Sequence, residues 1–315
     1  MASAFNVTGL SAYTKTNENM LLTRSFFEPK TASRMQILTG VKSTIQVPSL
    51  SDTLIWQNGD ACGFSASGDT TISARVLTVG RIKVNKEWCV NDLETKYTQL
   101  LLSPGSNYDA LPGGIDAAFV ETILGTTKEN VESAIWQGDT TSWNSQLKQF
   151  DGLVKIINAA SGTVQANATP YIATAVTAIT AANVISVMQA VYAAIPIEIL
   201  DKTDLKVSVG THIFRLYQLA LTNANLFNFI ATDNALGEMK IHGTNVTVVS
   251  TPGLNNINAI YALRDANMFL GVDLENEEEA FKFWYSEDFD LVRFKYRTKL
   301  GVQVSQVAEI VKFTI

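Results

Sequence analysis

Cysteine, histidine and surplus basic charge are scarce in this chain, and each scarcity closes off a class of function. Two cysteines, Cys62 and Cys89, in 315 residues cannot staple a secreted scaffold, and their spacing fits no common zinc motif. They are expected as free thiols. The two histidines, His212 and His242, stand in no H-E-x-x-H or related ligand spacing. His212 falls in the first turn of a predicted helix, where its role is structural. Neither phosphate-cradling glycine pattern, G-x-x-x-x-G-K-[ST] or G-x-G-x-x-G, is present, and Gly63-Phe64-Ser65-Ala66-Ser67-Gly68 is not the nucleophile elbow G-x-S-x-G. No enzyme is expected, and no cofactor and no metal.

Lysine and arginine number 24 against 30 aspartates and glutamates, for a net charge of -6. A protein whose main task is to neutralise phosphate needs the opposite balance. No window approaches the roughly 18 uninterrupted apolar residues of a membrane helix, and the best candidate, 172–199, is broken by Thr, Asn, Ser, Gln, Pro and Glu. The stretch MASAFNVTGLSAYTKTNENMLL lacks the basic start and apolar run of a signal peptide, so synthesis in the cytoplasm without membrane attachment is expected. Charged residues make up only 17% of a chain that is 46% hydrophobic. Such a surface suits a protein that hides neutral faces against copies of itself.

What is there divides by its periodicity. Residues 1 to 35 show no sustained period and end at Phe26-Phe27-Glu28-Pro29, which reads as an extended arm whose apolar residues must lie against something. From Val41 to Val90, strand-like runs at 43–48, 53–56 and 70–90 surround a turn-rich tip, Asn58 to Asp69, predicting a long hairpin. A helix is predicted from Leu93, Tyr97, Leu100 and Leu101. A longer one is predicted from Ile115, Phe119, Ile123, Val131 and Ile135, with Gly125 as a possible break. Further on, Thr180 is placed to cap a helix reaching Ala194 with Val184, Met188, Val191 and Ile195 inward; Leu205, Val207 and Val209 read as a strand, and Ile213 to Leu221 as an amphipathic helix. Two strand-like runs flank Pro252-Gly253, with a turn at 264–267. At the end Val292, Phe294 and Tyr296 alternate with Arg293, Lys295 and Arg297, and the pattern resumes after Gly301. That alternation is explained by one buried and one solvated face. The acidic pair Asp288 and Asp290 and the run Glu275 to Glu279 read as solvated turns.

Three segments carry a resemblance: Lys86-Glu87-Trp88-Cys89-Val90-Asn91-Asp92-Leu93, Ile135-Trp136-Gln137-Gly138-Asp139 and Gln149-Phe150-Asp151-Gly152-Leu153. With the order of arm, hairpin, long helix, mixed central region and terminal strands, the whole chain resembles the Hong Kong 97-type major capsid proteins of tailed bacteriophages. The resemblance implies an α+β fold with an N-terminal arm (1–35), an extended loop (36–90), a peripheral domain with a spine helix (91–160 and 281–315) and an axial domain (161–280). It implies a non-catalytic subunit assembling with itself into pentamers and hexamers of an icosahedral head in the virion, around double-stranded DNA touched non-specifically. A portal protein, and separate scaffolding and cement proteins, are implied partners. Candidate inter-subunit contacts are Asn58, Gly59, Asp60 and Phe64 at the hairpin tip, and Phe26 and Phe27 in the arm. Some family members cross-link through a loop lysine, but none occurs here between Thr44 and Ile82, so a shell without such links is expected. Glycines such as Gly40, Gly59, Gly68 and Gly80 are candidate hinges. An encapsulin-like nanocompartment shares the fold, and a secreted hydrolase is the alternative from a different class.

Overall fold

The computed structural model describes residues 29–59, 64, 66–89, 114–224, 237–241, 244–273, 281–286, 288–289 and 291–315. The calls on Phe26, Phe27, Asp60, Cys62, the helix at 93–101, the Glu275–Glu279 run, Asp290 and His242 lie outside these residues.

The architecture is α+β: two sheets, each with its own core, and a two-stranded ribbon that leaves the body. The centre of the first sheet is β12 (Leu291–Val304). One of its edges carries β10 (Met268–Asp273) and then β11 (Phe281–Ser286), and the other carries β4 (Gly80–Cys89); β1 (Gln36–Thr39) adds to β10 in parallel. The expected alternation holds over the first half of β12: Phe294 and Tyr296 are buried while Arg297 is exposed. Beyond Thr298 both faces are buried, and the strand runs through Gly301 without a break.

Against this sheet packs α1 (Gly114–Gln137), about 36 Å long at 1.5 Å per residue. Its buried stripe is Ile123, Leu124, Val131, Ala134 and Ile135, with Trp136 fully enclosed. Gly125 neither ends nor splits the helix; it is exposed, where a missing side chain costs helix propensity but no packing. The chain turns back into α2 (Leu153–Ala159).

The second sheet has the order β5 (Val164–Gln165), β13 (Val311–Thr314), β9 (Ala259–Arg264), β6 (Leu205–Val209), β8 (Thr247–Ser250), β7 (Glu238–Lys240). It is covered by α3 (Val184–Ala193) and the amphipathic α5 (Thr211–Asn223); the short α4 (Ile197–Leu200) lies between α3 and β6 in the chain. The helix expected from Thr180 starts at Val184 instead. Asn183 Oδ1 accepts the Thr180 N–H and its Nδ2 donates to the Ala178 carbonyl, which holds the preceding residues in a turn. β9 is buried on both faces: Tyr261 and Leu263 enter the first core, Ile260 and Ala262 the second.

The ribbon is β2 (Thr44–Leu54) against β3 (Gly68–Thr78), eleven residues a side. The run expected as one strand over 70–90 divides at Val79, and its second half, β4, joins the first sheet by pairing with β12.

Candidate functional site

The ribbon's register sorts its side chains. Leu50 pairs with Ile72, Pro48 with Ala74, Gln46 with Val76 and Leu54 with Gly68, so Pro48, Leu50, Leu54, Ile72, Ala74 and Val76 share one face, interrupted by Gln46 and by the Asp52–Thr70 pair. The opposite face carries Ser49, Ser51, Thr53, Asp69, Thr71 and Ser73. Only the root is held. Val47 and Leu77 are buried with Val41 and Val79 against Leu38 and Phe269. Gln303 Nε2 donates to the Val76 carbonyl at 2.7 Å, and Ser305 Oγ donates to the Pro48 carbonyl at 3.1 Å.

Two glycines make that root possible. Gly271 and Gly301 face each other across β10 and β12; a Cβ on Gly301 would strike the Thr78 carbonyl, and one on Gly271 would strike Leu77. The ribbon thus crosses the sheet where both strands lack side chains, which is why the outer face of β12 becomes buried there. Gly80, read as a hinge, is a close-packing position, since a Cβ there would meet the Gln149 carbonyl. Gly40 and Gly68 do adopt positive φ, +74° and +96°, as turns require.

Beyond the root, Leu54 is 80% exposed, Ile72 77%, Trp56 96% and Phe64 97%. Asn58, Gly59 and Phe64 are exposed at this end of the ribbon. Leu50, Leu54, Trp56 and Ile72 are the residues that sequence reasoning missed. Their signal was the placement of Pro48, Leu50 and Leu54 at even positions of one strand, hidden because Asp52 interrupts the series and Ser49, Ser51 and Thr53 stand between.

Two of the segments quoted for the resemblance, 135–139 and 149–153, meet at the end of α1. The Gly152 N–H donates to the Gly138 carbonyl at 2.8 Å. Lys155 Nζ contacts Asp139 and Asp151, each at 2.7 Å. Hydrogen bonds from Lys155 and Thr141 pull the Asp139 carboxyl down to about 2. Gln137 Nε2 donates to the Gly253 and Asn255 carbonyls. Trp136 Nε1 donates to Thr31 Oγ1 at 2.8 Å, and Thr31 in turn donates its hydroxyl and its N–H to Glu132. Burial pushes the Glu132 carboxyl up, opposed by those Thr31 hydrogen bonds. Arg34 pairs with Asp265 at 2.7 Å, so the last residues of the expected arm are fastened to the body. These contacts tie the segments around α1 to the rest of the fold. Among the described residues no cluster of three metal-ligating side chains occurs, and no helix is long and apolar enough to cross a membrane. His212 is exposed in the first turn of α5.

No family model and no curated protein matches the sequence. Solved structures do. A chain of the satellite phage P4 procapsid including size determination (Sid) protein superposes with a TM-score of 0.62 at 13% identity, covering 94% of this chain and 90% of that one. A chain of the cyanophage A-1(L) capsid asymmetric unit gives 0.57 at 12% identity, covering 92% of both. The chain has the phage-capsid fold. A Gordonia phage Cozz chain matches at a TM-score of 0.52 and 13% identity, covering 91% of this chain and 86% of that chain. In this capsid fold the ribbon, α1 and the two sheets are parts of one architecture spanning nearly the whole chain, and the α+β arrangement expected from the sequence is the one observed. At these identities the side chains, unlike the backbone, are this protein's own.

Proposed function

We propose that this chain is a non-catalytic major capsid protein, which assembles with itself into pentamers and hexamers of an icosahedral head enclosing double-stranded DNA. The observation that carries the reading is the ribbon: an exposed apolar face on a backbone that matches procapsid and capsid chains over nine-tenths of its length. A two-stranded ribbon is marginal in water by itself, and a neighbouring copy is the natural support. In this reading residues 1–35 are the arm, 36–90 the extended loop, 91–160 and 281–315 the peripheral domain, and 161–280 the axial domain. Asn58, Gly59, Asp60 and Phe64, with Phe26 and Phe27, contact neighbouring subunits. Synthesis takes place in the host cytoplasm and the final location is the virion, with a portal protein and separate scaffolding or cement proteins as partners.

Electron microscopy of the purified recombinant chain, with light scattering to size what forms, tests this. Rings of five and six or closed shells are expected. A stable monomer in every buffer, also after co-expression with a scaffold, overturns the reading, and shells filled with a protein cargo in the native source replace it by a nanocompartment.

A further inference from the structure

The first sheet also has a basic surface, on which Arg81, Lys83, Lys282 and Arg297 are exposed. On the strands β4, β12 and β11, the face turned away from α1 carries Arg81, Lys83, Lys282, Arg293, Lys295 and Arg297, and the one carboxylate these strands place on it is Glu87. Arg293 lies 3.7 Å from Glu87 and over the Phe289 ring at 4.6 Å. Lys282 stands directly opposite Lys295, and Lys83 directly opposite Arg297. Like charges in directly opposed positions destabilise a sheet. The arrangement therefore costs the isolated subunit something, and it concentrates cations on one face of a chain whose net charge is -6. The rest of the surface is accordingly more acidic than the total.

We infer that this basic face receives an acidic surface of a second copy of the chain in a head-to-tail contact; this rests on the capsid reading above. A two-fold contact would set cations against cations, so the attraction is available only between unlike patches, and unlike patches generate rings when the rotation closes. Charge complementarity steers such a contact more than it adds affinity. The apolar ribbon face supplies burial, and the basic face selects orientation.

The test compares the wild-type chain with a variant carrying Lys83→Gln, Lys282→Gln, Lys295→Gln and Arg297→Gln, assembled side by side and imaged by electron microscopy. The expected result has two parts that a purely structural role would not produce together. The variant monomer unfolds at an equal or higher temperature, because the opposed cations are gone. Its yield of rings and shells at about 0.15 M salt falls roughly tenfold, a loss that the wild type shows only when salt is raised toward 1 M and screening shortens to about 3 Å. Assembly of the variant at wild-type yield overturns the inference and leaves the capsid reading standing. A wild-type chain that never assembles overturns both. In parallel, fluorescence anisotropy with a 30-base-pair duplex as probe detects the other polyanion. Duplex binding lost in the variant with assembly intact assigns the face to nucleic acid and overturns the inference.

Discussion

Four side chains show how this sequence places charge, three of them buried and one at the surface. Lys299 and Asp273 stand opposite each other on β12 and β10, 2.5 Å apart with side chains 8% and 4% exposed. Removing one partner of such a pair strands the other in low dielectric. Lys299→Met is expected to destabilise the subunit by about 3 to 5 kcal/mol, read as a lowered urea midpoint in a chain kept monomeric; a loss within error of zero would show that water reaches the pair. Glu132 and Asp139, at the end of α1 and just beyond it, respond to acid in opposite directions. Asp139 has its carboxyl depressed from 3.8 to about 2, so its contribution is present above pH 4 and is lost as pH falls toward 2. Glu132 has its carboxyl raised above 4.5 by burial, so the proton it takes up favours the folded state and that contribution is lost as pH rises through the raised value. Amide exchange should therefore show the loop 139–151 loosening between pH 4 and 2 while Thr31 stays protected. Joint loss of protection at both places would contradict this assignment.

The ribbon is the element on which the proposed function turns. The whole ribbon, eleven residues a side, extends roughly 36 Å by 10 Å, on the order of 360 Å² per face, while a stable interface buries about 800 Å² per partner. One face of one ribbon is not enough to hold two subunits, so contacts must add up around each copy. Leu50 and Ile72 pair with each other on an exposed face, so replacing both by serine is expected to cost the monomer no more than about 1 kcal/mol. Assembly should nevertheless be lost, because each such apolar side chain contributes up to about 2 kcal/mol when buried; intact shells on the grid would rule out this face as a contact. Gly301→Ala acts at the root, pushing a methyl group into the Thr78 carbonyl. It is expected to cost about 1 to 3 kcal/mol in thermal unfolding, and to free the ribbon's amides to exchange.

At the scale of the molecule, two cores share β9, whose alternate residues enter one or the other. Displacing that strand from the second sheet would open both cores, so a single cooperative transition is expected. The tryptophans provide a direct check: Trp56, Trp88, Trp136, Trp143 and Trp284 lie in the ribbon, the first sheet and the segments packed on it, and none is in the second core. Tryptophan fluorescence therefore reports the first core alone, and far-ultraviolet circular dichroism reports both. Coincident transitions would establish the coupling, and a circular-dichroism phase that outlasts the fluorescence change would disprove it.

How much of this was readable beforehand follows from which forces act locally. Periodicity along the chain determined α1, β6, α5, the alternating half of β12 and the existence of a hairpin, because amphipathic spacing is a property of neighbours in sequence. The shortage of histidine, cysteine and basic charge likewise determined which chemistries had no material. The sequence reading did not extract the division at Val79, since Thr70 to Val90 has strand character throughout and only pairing with β12 assigns its second half to another sheet. The pairing of Gly271 with Gly301 and the six cations gathered on one face were equally out of reach, because strands far apart in sequence are set side by side only by the register of the folded sheet. What the chain encodes locally is which segments can be strands and helices; which faces are left over to meet another copy is decided by the tertiary structure, where burial of one face defines the other.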